Sequence, residues 1–280
     1  MPRLTFQQVD VFSPEPLKGN PVAVVVGADG LSDLQMAAFA NWTNLSETTF
    51  LLRPTTAEAD YRVRIFTPKV ELPFAGHPTL GSCHAWLTSG GNPRGELVIQ
   101  ECGLGLVPVR RHEGRLAFAA PKLSRSGPLD EALLVRIASG LRVSRSSILD
   151  GQWADNGPGW MAVLLGSKAE VLALQPDFAA MPDLCIGVVG ACDPVRDGPG
   201  VQFEVRAFAM GAGVNEDPVT GSLNAGLAQW LIGSGLSPDA YVASQGTALG
   251  RAGRVHVERS GGAIWIGGAT VTYIEGTVSL

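Results

Sequence analysis

Two stretches of this chain repeat one another, Glu71–Leu87 (ELPFAGHPTLGSCHAWL) and Asn215–Leu231 (NEDPVTGSLNAGLAQWL). In each, a polar residue is followed by Pro, then Gly-Ser, then an apolar run that ends in Gly-rich sequence. The echo is in register: Pro78, Gly81, Ser82, Ala85 and Leu87 recur as Pro218, Gly221, Ser222, Ala225 and Leu227. His77-Pro78 and Asp217-Pro218 read as helix starts, with the polar side chain as N-cap and Pro at the first helical position, whose N–H has no intrahelical partner. A helix starting this way turns free N–H groups and a partial positive charge toward whatever lies ahead, which suits a carboxylate. Each stretch also follows a strand-like run ending in Phe, Tyr61–Phe66 and Val201–Phe208. Strand, loop and helix occurring twice predict two similar halves whose helix starts face one cleft.

The rest of the chain excludes several classes. With 280 residues, 45% hydrophobic and 17% charged, it can bury a proper core and is not disordered over most of its length. A net charge of −5, with no Lys/Arg cluster, argues against nucleic acid as a partner. No apolar run approaches the ~18 residues of a membrane span. The N-terminus, MPRLTFQQVDVF, alternates like a strand rather than a signal peptide. Cys83, Cys102, Cys185 and Cys192 lack CxxC or Cys/His spacing, so free thiols, no metal site and a cytoplasmic location are expected.

In chain order, strands are expected at Leu4–Phe12 and Val22–Val26. Ser32 with Gln35 forms a capping box for a helix to about Trp42, with Leu34, Ala37, Ala38 and Trp42 as its core face. The polar loop Asn44–Glu47 and strand Thr48–Leu52 follow. After the first central helix, near 78–89, come strand-like runs at Glu96–Cys102, Leu104–Arg111 and Arg115–Ala120. Pro121–Pro128 reads as a linker, which divides the halves at 120/121. The second half opens with a helix over Leu129–Ala138. It continues through strands Trp160–Leu165 and Ile186–Gly190 to a central helix near 218–232 and more short strands. The last strand, about 269–280, is a candidate to return to the first half. The fold class expected is α+β: two pseudo-symmetric halves, each a barrel-like sheet wrapped around a central helix.

Among polar residues, Glu47 is the leading candidate for chemistry. It lies between a helix and a strand, beside Ser46 and two threonines, where a partly dry setting would raise its pKa toward what a proton carrier needs. His77 and Asp217 follow as helix-start residues. A substrate carboxylate is expected on the backbone N–H groups around Gly76–His77 and Gly221–Ser222, with Arg251 and Arg254 of the GRAGR turn as the competing anion site. Glu71 and Glu216 read as solvated or structural.

These residues match a known pattern. The chain resembles the PhzF family of phenazine-biosynthesis-like isomerases, which share the diaminopimelate epimerase fold. The resemblance runs through VDVFSPEPLKGNPVAVV (Val9–Val25), NLSETTF (Asn44–Phe50), FTPKVELPFAGHPTLG (Phe66–Gly81), NGPGW (Asn156–Trp160), NEDPVTGS (Asn215–Ser222) and QGTALGRAGRV (Gln245–Val255). It implies a homodimer and a reaction without cofactor or metal on a small carboxylate-bearing substrate. In the family's characterised isomerase, the Glu of the NLSET-type motif moves a proton between two carbons of dihydro-3-hydroxyanthranilate; here that position is Glu47. The family's substrate-contacting His and Asp fall on His77 and Asp217, and further substrate contacts on Gly76 and Ser222. Epimerases of this fold use two cysteines instead. None of the four here lies at the cleft motifs, so thiol racemisation is the weaker alternative, beside a non-catalytic small-acid-binding protein.

Overall fold

A computed structural model describes residues 3–280, a mixed α/β chain dominated by strands. It divides into two compact units, residues 1–119 with 267–280, and residues 120–266.

The first unit contains β1 (Arg3–Val11), β2 (Asn20–Val26), α1 (Asp33–Thr43), β3 (Thr48–Leu52), β4 (Tyr61–Phe66), β5 (Glu71–Leu72), α2 (Gly76–Thr88), β6 (Val98–Cys102), β7 (Gly105–His112) and β8 (Arg115–Ala119). A returning strand, Thr270–Ser279, pairs antiparallel with β1 from Arg3↔Ser279 to Val11↔Thr270. β2 and β3 are parallel, as are β4 and β6, while the other neighbouring strands run antiparallel. α2 packs on β1, β2, β3, β4, β6, β8 and the returning strand. A helix covered on this many sides cannot have a polar face, and residues from Gly76 to Cys83 are all buried. Its polar side chains are therefore paired: Ser82 donates to Thr49 Oγ1 at 2.9 Å, and Gln100 donates to Thr79 Oγ1 at 3.0 Å. His84 meets Thr270 and Thr272 of the returning strand through its two ring nitrogens, each at 2.9 Å.

The second unit contains β9 (Arg125–Pro128), α3 (Glu131–Leu141), β10 (Asp150–Asp155), β11 (Trp160–Leu165), α4 (Lys168–Ala173), β12 (Cys185–Ala191), β13 (Phe203–Ala209), β14 (Val214–Asp217), α5 (Gly221–Gly233), β15 (Ala240–Gln245) and β16 (Gly253–Ser260). β17 (Ala263–Gly268) carries the chain back toward the first unit. The pairing signs repeat those of the first unit: β10–β11 antiparallel, β11–β12 parallel, β12–β13 and β13–β14 antiparallel, β13–β15 parallel, β15–β16 antiparallel. α5 is buried along nearly its whole length and packs on β10, β11 and β16.

Three expectations need correction. The helices do not start at the Pro residues. Ala75 is the N-cap of α2, which puts His77 inside the first turn and Pro78 at the third position, where a missing N–H is still no loss. Thr220 is the N-cap of α5, and Asp217-Pro218 lies ahead of it, with Asp217 ending β14. The echo therefore aligns differently from its Pro residues. Gly76 matches Gly221, and Gly81 matches Gly226, each the sixth helical residue. A Cβ on Gly81 would sit 2.3 Å from Val22 Cγ1, and one on Gly226 would sit 2.2 Å from the Ala154 carbonyl oxygen, so both helices approach their strands closely at that turn. Second, α1 has its capping box but buries the other face. Met36, Phe39 and Ala40 are inside, while Leu34 (82% accessible) and Trp42 (80%) are outside. Third, the end of the expected linker is β9, paired with Gln152–Asp155.

Candidate active site

The loop Asn44–Glu47 follows α1, and its Asn44 takes the left-handed conformation that ends a helix. Glu47 is held between this turn and β3. Its Oε2 lies 3.4 Å from Nε2 of His77, with the two side chains 16% and 4% accessible. Burial drives the His77 pKa down to about 3, against a small opposing pull from the Pro21 carbonyl, so the ring is neutral near pH 7. Its Nδ1 lies 3.4 Å from the Asn20 amide nitrogen. A neutral ring has one proton to place, and with Nδ1 accepting from the Asn20 amide that proton sits at Nε2, on the Glu47 side. Buried Nε2 makes no hydrogen bond among the described residues, so its approach to Glu47 is a close contact rather than a formed bond. Carboxylate and imidazole thus face each other in a largely buried setting, within reach of a proton transfer but not hydrogen-bonded to each other.

Beside this pair the N–H groups of Gly76 and His77 lie in the unpaired first turn, since the helical bonding begins with Thr79 N–H to the Ala75 carbonyl at 3.1 Å. Ser46 is half-buried in the loop beside Glu47.

In the second unit the start of α5 is built around Gln245. Its Oε1 accepts from Thr220 N–H at 3.1 Å and from the Asn224 amide at 2.8 Å, and its Nε2 donates to the Asp217 carbonyl at 3.2 Å and to Thr220 Oγ1 at 3.0 Å. Thr220 Oγ1 in turn donates to Asp217 Oδ2 at 2.5 Å. Asp217 is therefore not the capping residue expected. Its carboxylate is positioned by the N-cap threonine, and the cap N–H is satisfied by a glutamine from β15. Ser222, in the first turn, accepts from Trp160 Nε1 at 3.0 Å and keeps its own proton to donate, while its carbonyl accepts from Asn156 at 2.8 Å. Gly221 opens the helix and is buried. Of the expected competitors, Arg254 is engaged with Ser244 Oγ at 3.1 Å.

Sequence reasoning named Glu47, His77, Asp217, Ser46, Gly76, Gly221 and Ser222 as candidates but gave no role to Asn20, Asn156, Trp160 or Gln245, which the structure sets beside them. The available signal was the parallel between Gly19-Asn20-Pro21 and Asn156-Gly157-Pro158. Each Asn reaches the second residue of a central helix, His77 or Ser222.

The family model for phenazine biosynthesis-like proteins (PhzC-PhzF) matches residues 9–276. The chain belongs to the PhzF family. It is 38% identical to the antisense-enhancing sequence 1 protein of Schizosaccharomyces pombe, over 97% of each chain. It is 34% identical to the trans-2,3-dihydro-3-hydroxyanthranilate isomerase of Pseudomonas aeruginosa, over 97% of this chain and 98% of that one. A crystal structure of a PhzF-family protein from Enterococcus faecalis superposes with a TM-score of 0.82 at 26% identity, covering all of both chains. The PhzF family is one of isomerase-like enzymes, and this chain is an enzyme of that class. Among the described residues no group of three or more His, Cys, Asp or Glu side chains gathers as metal ligands, and no helix is long and apolar enough to cross a membrane.

Proposed function

We propose that this PhzF-family protein isomerises a small carboxylate-bearing substrate by moving a proton between two of its carbons. Glu47 carries the proton and neutral His77 is its partner. The Glu47 carboxylate takes a proton from one carbon and, as the acid, returns one to another, so no net proton is gained or lost. The observation that carries this reading is the Glu47–His77 pair. Burial keeps the imidazole uncharged near pH 7, so what faces the Glu47 carboxylate at 3.4 Å from His77 is a neutral ring rather than a fixed cation, a setting that suits a proton carrier.

The substrate carboxylate is proposed to dock on the free N–H groups of Gly76 and His77, with Asp217, Gly221 and Ser222 as further substrate contacts. The matching pairing signs and helix starts of the two units support pseudo-symmetric halves of an epimerase-like fold. The test is deuterium uptake from heavy water, with trans-2,3-dihydro-3-hydroxyanthranilate as the first probe because a relative acts on it by name. Glu47→Gln should fold as the wild type and lose about 10²- to 10⁴-fold in turnover. A wild-type rate in that variant sinks the assignment. All the proposed chemistry comes from side chains and backbone, so dialysis against a chelator should leave the rate unchanged.

A further inference from the structure

The residue before Asp217 is also acidic, and the two carboxylates are treated very differently. Glu216 is buried against Arg206, with Nε to Oε1 and Nη2 to Oε2 both at 2.8 Å. Arg206 also donates from Nη1 to the Leu174 carbonyl at 2.9 Å and stacks over the Phe208 ring at 4.9 Å. Successive strand residues face opposite ways, so seating Glu216 on this side turns Asp217 to the other, where Thr220 Oγ1 donates to it.

Main-chain pairing alone does little to enforce that choice. β14 has four residues, and its ladder with β13 is interrupted by a register shift between Ala207 and Ala209. A slip of one residue would exchange the faces of the two carboxylates. Either carboxylate can thus face Arg206, one in each register, but Glu, one methylene longer, reaches the guanidinium through both oxygens.

The same device stands ahead of α2. Arg64 holds Glu71 through Nε at 2.7 Å and Nη2 at 2.6 Å and lies over the Phe66 ring at 5.1 Å. In both units the Arg is two residues before the Phe, and the Glu is five residues before the first helical Gly. Pro73 and Pro218, each two residues after its Glu, both lie against a glycine, Gly103 and Gly246. A clamp recurring in one register belongs to the building of the helix start.

We infer that Arg206 and Glu216 are positioning residues, a register lock that aims the Asp217 carboxylate at the start of α5. The functional part of this rests on the reading of Asp217 above. A buried ion pair is a poor source of net stability and can be exchanged for apolar side chains without loss, which makes the lock separable from folding.

The experiment replaces the pair by Arg206→Met with Glu216→Leu and measures melting, deuterium-uptake kinetics and the crystal structure. Expected are a melting temperature near or above that of the wild type, loss of the Asp217–Thr220 hydrogen bond, and at least a tenfold fall in kcat. Arg206→Lys, which keeps charge but not the two-point grip, should recover part of that rate. If the double variant does not fold, Arg206→Lys is read in its place, and a wild-type Asp217 position together with a wild-type kcat there overturns the lock. A stable double variant with Asp217 still bonded to Thr220 overturns it as well. Asp217→Asn separates the two claims. If it turns over at the wild-type rate, the substrate role of Asp217 fails, while the crystallographic result still decides the lock.

Discussion

His77 makes the clearest statement at the scale of single residues, because its ring is fully enclosed and its pKa is lowered by burial to about 3. An unfolded chain takes up a proton on this histidine near pH 6.5, whereas the folded chain does not. The stability it contributes is therefore complete above pH 6.5 and is lost as pH falls from 6.5 toward 3, at about 1.4 kcal/mol per pH unit. Urea unfolding between pH 6.5 and 5, before most carboxylates titrate, should show this slope in the wild type and a shallower one in His77→Gln. His84, also lowered by burial, contributes in both and cancels in the comparison. Ser222→Ala should cost about 1–3 kcal/mol, because it strands the Trp160 N–H, and denaturant melts would show it. Glu47 and His77 could be named as candidates from the sequence because one sits in a polar loop between a helix and a strand and the other beside the proline of a helix start. Gln245 could not. Its four hydrogen bonds depend on the parallel pairing of β15 with β13, a contact between distant segments that no local pattern announces.

Among the elements, the two central helices were visible in the sequence but their starts were not. Pro at the first helical position is a statistical habit. Here the N–H-free position falls at the third residue of α2, and ahead of α5 the chain makes one more short strand first. What fixes the register instead is the glycine at the sixth position. Gly226→Ala drives a methyl into the Ala154 carbonyl, which cannot rotate away, whereas Gly81→Ala meets the Val22 side chain. Both should destabilise by about 1–3 kcal/mol, with Gly226→Ala the more damaging in a thermal melt. In α1 the capping box was legible while the buried face was not. The helix is apolar on two faces, and helical spacing cannot say which of them meets Phe6 and Phe50. Phe39 makes those contacts, and Leu34 and Trp42 are left outside.

For the chain as a whole, the first unit closes only with residues from the far end of the sequence. Removing residues 270–280 leaves β1 paired with β2 on one side only and exposes its other edge along its full length. It also removes both hydroxyls that face His84. The truncated protein should melt far below the intact one and aggregate, as light scattering during heating would show. Made on a ribosome, the first 119 residues emerge with the second partner of β1 still unwritten. The second unit, whose residues are contiguous, is born complete and can mature before the first is able to close. Any helper that guards the newborn chain would therefore have to shelter β1 for the time it takes to translate everything in between.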